Sequence, residues 1–200
     1  FLSLCAAHTA QEVNLSSLGA DAGVSHNTAR AWLSILETSF LFIQCPAWHR
    51  NINKQLVKRP TLHFLDSGLI CYLLGIRSPG ELRHHPLRGA IFESWVASEI
   101  HKHNTHRGRR PKLFHYRESR GAEIDILLQS GSELIACEAK SGATLQAEFI
   151  KHLRTFDNRI KSLSTKPNLD MRLVYGGERG LRRLGVDCLG WRQIHNWKWG

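Results

Sequence analysis

What this chain lacks narrows it first. It contains no run of about 18 apolar residues, so no helix is expected to cross a membrane. Nothing in it resembles a secretory signal, and a cytoplasmic location is expected. Its five cysteines (Cys5, Cys45, Cys71, Cys137 and Cys188) are odd in number and form no CxxC or zinc-type spacing. A disulfide framework and a zinc finger are therefore excluded, and reduced thiols are expected. The nucleotide-binding loop GxxxxGK[ST] is missing, so no ATP is expected to bind to this chain. There are no internal repeats and no low-complexity tracts. The single methionine is not the first residue, and the chain opens at Phe1 in a helical pattern, which reads as a piece cut from a longer protein.

Acids are also scarce. Seventeen Asp and Glu stand against 27 Lys and Arg, a formal charge of +10. That balance suits a polyanion such as nucleic acid, and DNA is the expected partner. A basic surface without a specific partner is the plain alternative. What is present in quantity is apolar side chain, 42% of residues, enough for a packed core in a chain of 200.

The expected architecture is mixed α/β (α+β) in two modules, residues 1–75 and 76–200. In the first, Leu15, Leu18 and Ala22 recur at helical spacing, Gly23 supplies a turn, and Ser25 caps a second helix over 26–38. That helix places Ala29, Leu33 and Leu36 on one face and His26, Asn27 and Arg30 on another. Phe40-Leu-Phe-Ile-Gln and Thr61-Leu-His-Phe-Leu read as strands, joined by a basic segment with His49, Arg50, Lys54, Lys58 and Arg59. Helices followed by a basic hairpin make a winged-helix-like module. Its second helix is expected either to read DNA through His26, Asn27 and Arg30 or to serve only packing and protein contacts.

After a short helix near residues 66–75 and a connection through residues 78–86, the second module has the order α-β-β-β-α-β. Phe92, Val96 and Ile100 mark its first helix, residues 89–102. A basic loop follows, with Arg107, Arg109 and Arg110 as candidate phosphate contacts, and Arg117 and Arg120 are further candidates nearby. Phe149, Leu153, Phe156 and Ile160 mark the second helix. The tail from Gly190 to Trp197 is expected to add an edge strand, with its tryptophans packed on the sheet or stacked on bases.

The stretch Gly121–Lys140 carries the most chemistry. Gly131-Ser132 suits a two-residue type II′ turn, which fixes a hairpin register. Ile124, Ile126 and Leu128 then oppose Ala139, Cys137 and Ile135 on an apolar side. Asp125 opposes Glu138, and Glu123 opposes Lys140, on the other. Opposed carboxylates destabilise a sheet unless something compensates them. A hard divalent cation would do so; a plain ion-pair patch neutralised by Lys140 is the alternative.

Asp125, then Glu138-x-Lys140 on the next strand, after a helix bearing Glu93, resembles the PD-(D/E)XK nuclease-like superfamily, whose αβββαβ core has the same element order. The series Leu65–Leu69, Gly89–Glu93, Tyr116–Asp125 and Glu138–Ser141 is similar to the DUF4143 region that forms the C-terminal half of a group of prokaryotic AAA+-type ATPases. The resemblance implies Mg²⁺ or Mn²⁺ on Asp125 and Glu138, with the main-chain carbonyl of Ala139 as a possible third ligand. It implies Lys140 as the catalytic lysine and Glu93 as an acid reaching the metal directly or through water. It also implies DNA phosphodiester hydrolysis, and an ATPase domain that this chain does not contain. Some members of the superfamily keep the fold without the activity, so a non-catalytic DNA- or protein-binding module that regulates the ATPase is the competing reading.

Overall fold

The computed structural model describes residues 1–48, 59–118, 121–164 and 166–200. The chain divides into two compact units: Phe1–Cys45 with Arg59–Ser98, and Pro46–Lys58 with Glu99–Gly200.

Unit 1 is helical around a small antiparallel pair of strands. It contains α1 (Leu2–Ala7), α2 (Leu15–Asp21), α3 (His26–Thr38), β1 (Phe42–Cys45), β2 (Thr61–Phe64), α4 (Ser67–Leu73), α5 (Pro79–His84) and the first part of α6 (Arg88–Thr105). Local chemistry sets the helix starts. The Asn14 carboxamide accepts the N–H groups of Ser16 and Ser17, the Ser25 hydroxyl accepts that of Thr28, and Asp66 accepts those of Gly68 and Leu69. Gly23, at φ 68°, makes the turn between α2 and α3. Cys5, Leu18, Leu33, Phe42, Phe64, Ile70 and Ile91 form its core. Within that core the Thr9 and Ser94 hydroxyls meet at 2.8 Å, and His63 bridges Ser94 and Thr61 at 3.3 and 3.2 Å. Each buried polar group there has a partner, which removes most of the cost of burying it. The connection expected at residues 78–86 contains α5, capped by Ser78 with Pro79 and Glu81 in its first turn.

Unit 2 is a six-stranded mixed sheet in the order β3-β4-β5-β6-β8-β7. The strands are β3 (Lys112–Arg117), β4 (Glu123–Ser130), β5 (Glu133–Lys140), β6 (Asn168–Tyr175), β7 (Leu181–Arg183) and β8 (Val186–Gly190). β3, β4 and β5 pair antiparallel, whereas β5, β6 and β8 run parallel. The crossover from β5 to β6 passes through α7 (Lys151–Lys161), which buries Leu153, Phe156 and Ile160 against β4, β5 and β6. Trp48, Tyr116 and Phe156 meet edge-on, with ring centroids 4.8 to 6.3 Å apart, in the same cluster as Ile124, Leu127, Leu134 and Ala136. This favours uniform, well-specified packing.

One expectation changes here. The tail is not an edge strand: Trp191–Asn196 is a short 3-10 helix, and the added strands are β7 and β8. The tail tryptophans divide: Trp191 is exposed and Trp197 half-buried, while Trp199 packs inward. Trp199 is buried, and the Arg172 guanidinium lies 5.1 Å from the Trp197 ring and 4.6 Å from the Trp199 ring.

Candidate functional site

The hairpin turns as its sequence demands. Gly131 has φ 60°, Ser130 pairs with Glu133, and Leu128 and Ile126 oppose Ile135 and Cys137. That regular register ends at Ile126. On the other side of β4, Phe114 pairs with Leu127 but Tyr116 pairs with Ile124, so Asp125 and Ile126 together face His115. This is a β-bulge, which locally breaks the alternation of side chains. Ile124 and Leu127 therefore share one core cluster despite their odd spacing. The expected pairs Asp125–Glu138, Ile124–Ala139 and Glu123–Lys140 do not form part of the ladder. The Asp125 carboxylate instead accepts the N–H of Ala139 at 2.9 Å, in the position a backbone partner would take.

The charges gather as a trio. Lys140 Nζ lies 3.1 Å from Asp125 Oδ2 and 2.7 Å from Glu138 Oε2. The Glu138 side chain is 2% exposed, that of Asp125 10%, and that of Lys140 32%. Among the described residues, Glu138 Oε1 is buried without a hydrogen-bond partner. Burial first, and the Asp125 charge second, push the Glu138 carboxyl well above its ordinary value, against the pull of Lys140. Burial draws Lys140 down, but Asp125 and Glu138 more than offset it and hold the ammonium above its usual range. Two carboxylates thus share one cation, and one buried oxygen is left over.

That leftover oxygen tests whether the residues suit a metal. Among the described residues, no group of three or more His, Cys, Asp and Glu side chains is arranged to hold a metal ion. Asp125 and Glu138 are only two. Mg²⁺, however, is usually held by one or two carboxylates together with waters and substrate phosphate. An unsatisfied, buried carboxylate oxygen beside a second carboxylate fits that donor set. Ala139 is buried within β5, paired with Val174 of β6.

The other predicted residues fall elsewhere. Glu123 is exposed and pairs with Arg117 at 3.5 Å, not with Lys140. Glu93 sits on α6 in unit 1, half-buried; the Cys45 thiol there is pushed up by burial and, next, by Glu93. His26, Asn27 and Arg30 are all exposed on α3. Arg107 donates to the His103 carbonyl at 2.8 Å, Arg109 donates to the carbonyl oxygen of Gly200, and Arg110 is exposed. Arg120, and most of the basic segment between β1 and β2 (His49, Arg50, Lys54 and Lys58), lie outside the described residues. One contact was missed from sequence: His152 of α7 accepts the Glu123 N–H on Nδ1 at 3.2 Å, which ties the start of β4 to the helix. The only sequence signal was a polar residue beside the buried Leu153.

No helix among the described residues is long and apolar enough to cross a membrane. The sequence matches the family described as "Domain of unknown function (DUF8612)" over residues 1–80 and "Domain of unknown function (DUF4143)" over residues 88–194. It is 28% identical over 121 residues to "Uncharacterized protein Mb2031c" of Mycobacterium bovis and, to the same extent, to "Uncharacterized protein Rv2008c" of Mycobacterium tuberculosis. The matched stretch covers 60% of this chain and 26% of each relative, so the chain aligns with about a quarter of their length.

Proposed function

We propose, from the premise that this chain belongs to the DUF4143 family, that unit 2 is a PD-(D/E)XK-type nuclease domain. It would hydrolyse DNA phosphodiester bonds with the help of Mg²⁺ or Mn²⁺, as the C-terminal region of an AAA+-type ATPase. The observation that carries this reading is the buried, unpartnered Oε1 of Glu138 beside Asp125 and Lys140. Asp125, Glu138 and the Ala139 carbonyl would hold the cation. A divalent ion there would polarise the scissile phosphate and ease deprotonation of the attacking water. Lys140, kept charged by its two carboxylates, acts as an electrostatic donor rather than a base: it orients the water and stabilises charge that develops on the phosphate. Asp125, anchored to the Ala139 N–H, holds Lys140 in place. Glu93 belongs to unit 1, and the proposed site in unit 2 is argued without it. In unit 1, the winged-helix reading gives His26, Asn27 and Arg30 to DNA, with Arg107, Arg109, Arg110, Arg117 and Arg120 as phosphate contacts.

The test is calorimetric titration with Mg²⁺ and Mn²⁺ beside cleavage of plasmid and linear DNA, for the native chain, Asp125→Ala and Lys140→Ala. Metal-dependent cleavage that disappears in both variants supports the nuclease. Absence of both metal binding and cleavage overturns it.

A second reading, a non-catalytic protein-binding module, is favoured at unit 1 by one observation. The helix assigned to DNA also exposes Trp32 (39%) and Ile35 (60%), and Phe40 just beyond it is 76% exposed. Large apolar side chains in that number suit a protein surface better than a phosphate backbone.

A further inference from the structure

β7 and β8 are joined by a two-residue loop, Leu184-Gly185, since Arg183 pairs with Val186. Both loop residues have positive φ, 51° and 80°, the signature of a type I′ turn, for which Asn-Gly or Gly-Gly is the usual choice. Leucine gains nothing from this conformation, which crowds its Cβ and which, unlike Asn, it cannot offset with a local side-chain hydrogen bond. Nor does it gain from burial: Leu184 is 60% exposed. Strain held at an exposed apolar residue points to a contact outside the folded chain.

The surroundings say what kind of contact. Leu184 lines a groove of about 390 Å³ beside α7, together with Glu148, Lys151, Arg154, Thr155 and Asn158. Arg183 and Leu181 oppose Val186 and Cys188, which belong to the cluster buried under α7. Both therefore project from the sheet face on which the groove lies, and Leu181 is 45% exposed. Among the described residues the groove is lined by two cations, Lys151 and Arg154, and one carboxylate, Glu148, itself 3.6 Å from Lys151, while Arg183 adds a third cation on the same sheet face. β7 ends the sheet, so its outer backbone edge is the side along which an extended segment would run.

We propose that the groove between α7 and the β7–β8 turn is a docking site for an acidic protein segment that carries apolar side chains. Carboxylates of the segment meet Lys151, Arg154 and Arg183, and an apolar side chain packs on Leu184 and Leu181. A phosphate backbone would use the cations but not the two leucines. The assignment goes beyond the nuclease reading and stands without it.

The test is fluorescence anisotropy with a labelled peptide of about twelve residues, alternating Glu or Asp with Leu. Two comparison peptides replace the acids by Lys or the leucines by Ser, and a thymidine oligonucleotide of similar length is the fourth probe. Leu184→Gly removes the side chain and suits the turn, so its thermal stability should match or exceed that of the native chain. It should bind the acidic leucine peptide about tenfold more weakly, the effect expected for losing one leucine contact. Lys151→Glu with Arg154→Glu should abolish binding. Equal binding of the serine peptide, an unchanged affinity in Leu184→Gly, or a lower thermal stability of that variant would each overturn the proposal. So would an oligonucleotide that binds through Lys151 and Arg154 and excludes the peptide.

Discussion

Replacing Glu138 by Gln should make the metal-free protein more stable at neutral pH. The side chain is 2% exposed, and one of its oxygens has no partner. An orphaned buried polar atom costs about 1–3 kcal/mol, and more when charged. Breaking a buried ion pair ordinarily costs about 3–5 kcal/mol because it strands the other charge. Here Lys140 keeps Asp125 at 3.1 Å, so no cation is stranded; Gln leaves a polar atom at the orphan position but removes its charge, and the cost of that buried charge decides the sign. The pH dependence follows from the raised carboxyl. The folded chain retains a proton at Glu138 that the unfolded chain releases above the ordinary value of 4.5. Stability from this group is fully present below 4.5 and falls as pH rises through the folded value, by at most about 1.4 kcal/mol for each pH unit crossed. Glu138→Gln removes that slope. At a pH of about 7.5 in EDTA it should be more stable by ~1–3 kcal/mol, or about 3–10 °C in Tm for a chain of this size, and near pH 4.5 the two proteins should converge. Circular dichroism melts across that pH range are the assay. With Mg²⁺ at about 100 times its dissociation constant the native chain should gain ~2.7 kcal/mol and the variant nothing. A variant that is less stable at every pH would refute the reasoning and leave Glu138 as an ordinary ion-pair partner of Lys140.

Three further outcomes are expected. Phe156→Ala, which empties the contact among Trp48, Tyr116 and α7, should cost about 3–5 kcal/mol in urea denaturation. Gly176→Ala should cost about 1–3 kcal/mol, because its Cβ would overlap the Ser141 carbonyl oxygen, and it should weaken Mg²⁺ binding by shifting the chain just after Lys140. Arg172→Ala strips the cation from between Trp197 and Trp199 and its 2.9 Å hydrogen bond to Asp170. A loss of about 2–4 kcal/mol and a red-shifted tryptophan emission should follow, and an unchanged spectrum would contradict the stacked arrangement.

How legible all this was depended on whether local signals agreed. α3 could be read because its cap, Ser25, and the spacing of Ala29 and Leu33 point the same way. The β4–β5 turn could be read because Gly131 sits where positive φ is needed. α5 is hard to read although Ser78, Pro79 and Glu81 are a proper helix start, because at six residues it has no room for an apolar period. β7 exposes all three residues, so it shows no alternation, and Leu184 gives none of the usual turn chemistry. In the site, residue type points to Asp125, Glu138 and Lys140, but the expected pairs Asp125–Glu138, Ile124–Ala139 and Glu123–Lys140 are absent from the ladder. Strict alternation opposes Glu123 to Lys140 across the hairpin; the bulge breaks that register, and Glu123 turns to Arg117 instead. The run Ile126-Leu127-Leu128, three buried residues in succession, was its trace in the sequence.

The bulge also gives β4 an unusual response to deletion. Strand alternation works as a two-letter parity, and one extra residue inverts it. Before Asp125 the even-numbered Ile124 enters the α7-side core; after it the odd-numbered Leu127 does. A deletion of Ile126 would shorten the chain by one residue and restore a regular strand, with Ile124 and Leu127 two places apart and still in phase. The α7-side cluster would keep both, while the opposite face of the sheet would lose the buried Ile126. Asp125, however, would take an ordinary place in the ladder, and its carboxylate would leave the Ala139 N–H to a backbone carbonyl. The strand would gain ladder bonds and lose its carboxylate, so a mutation that repairs the sheet would be the one that erases the site.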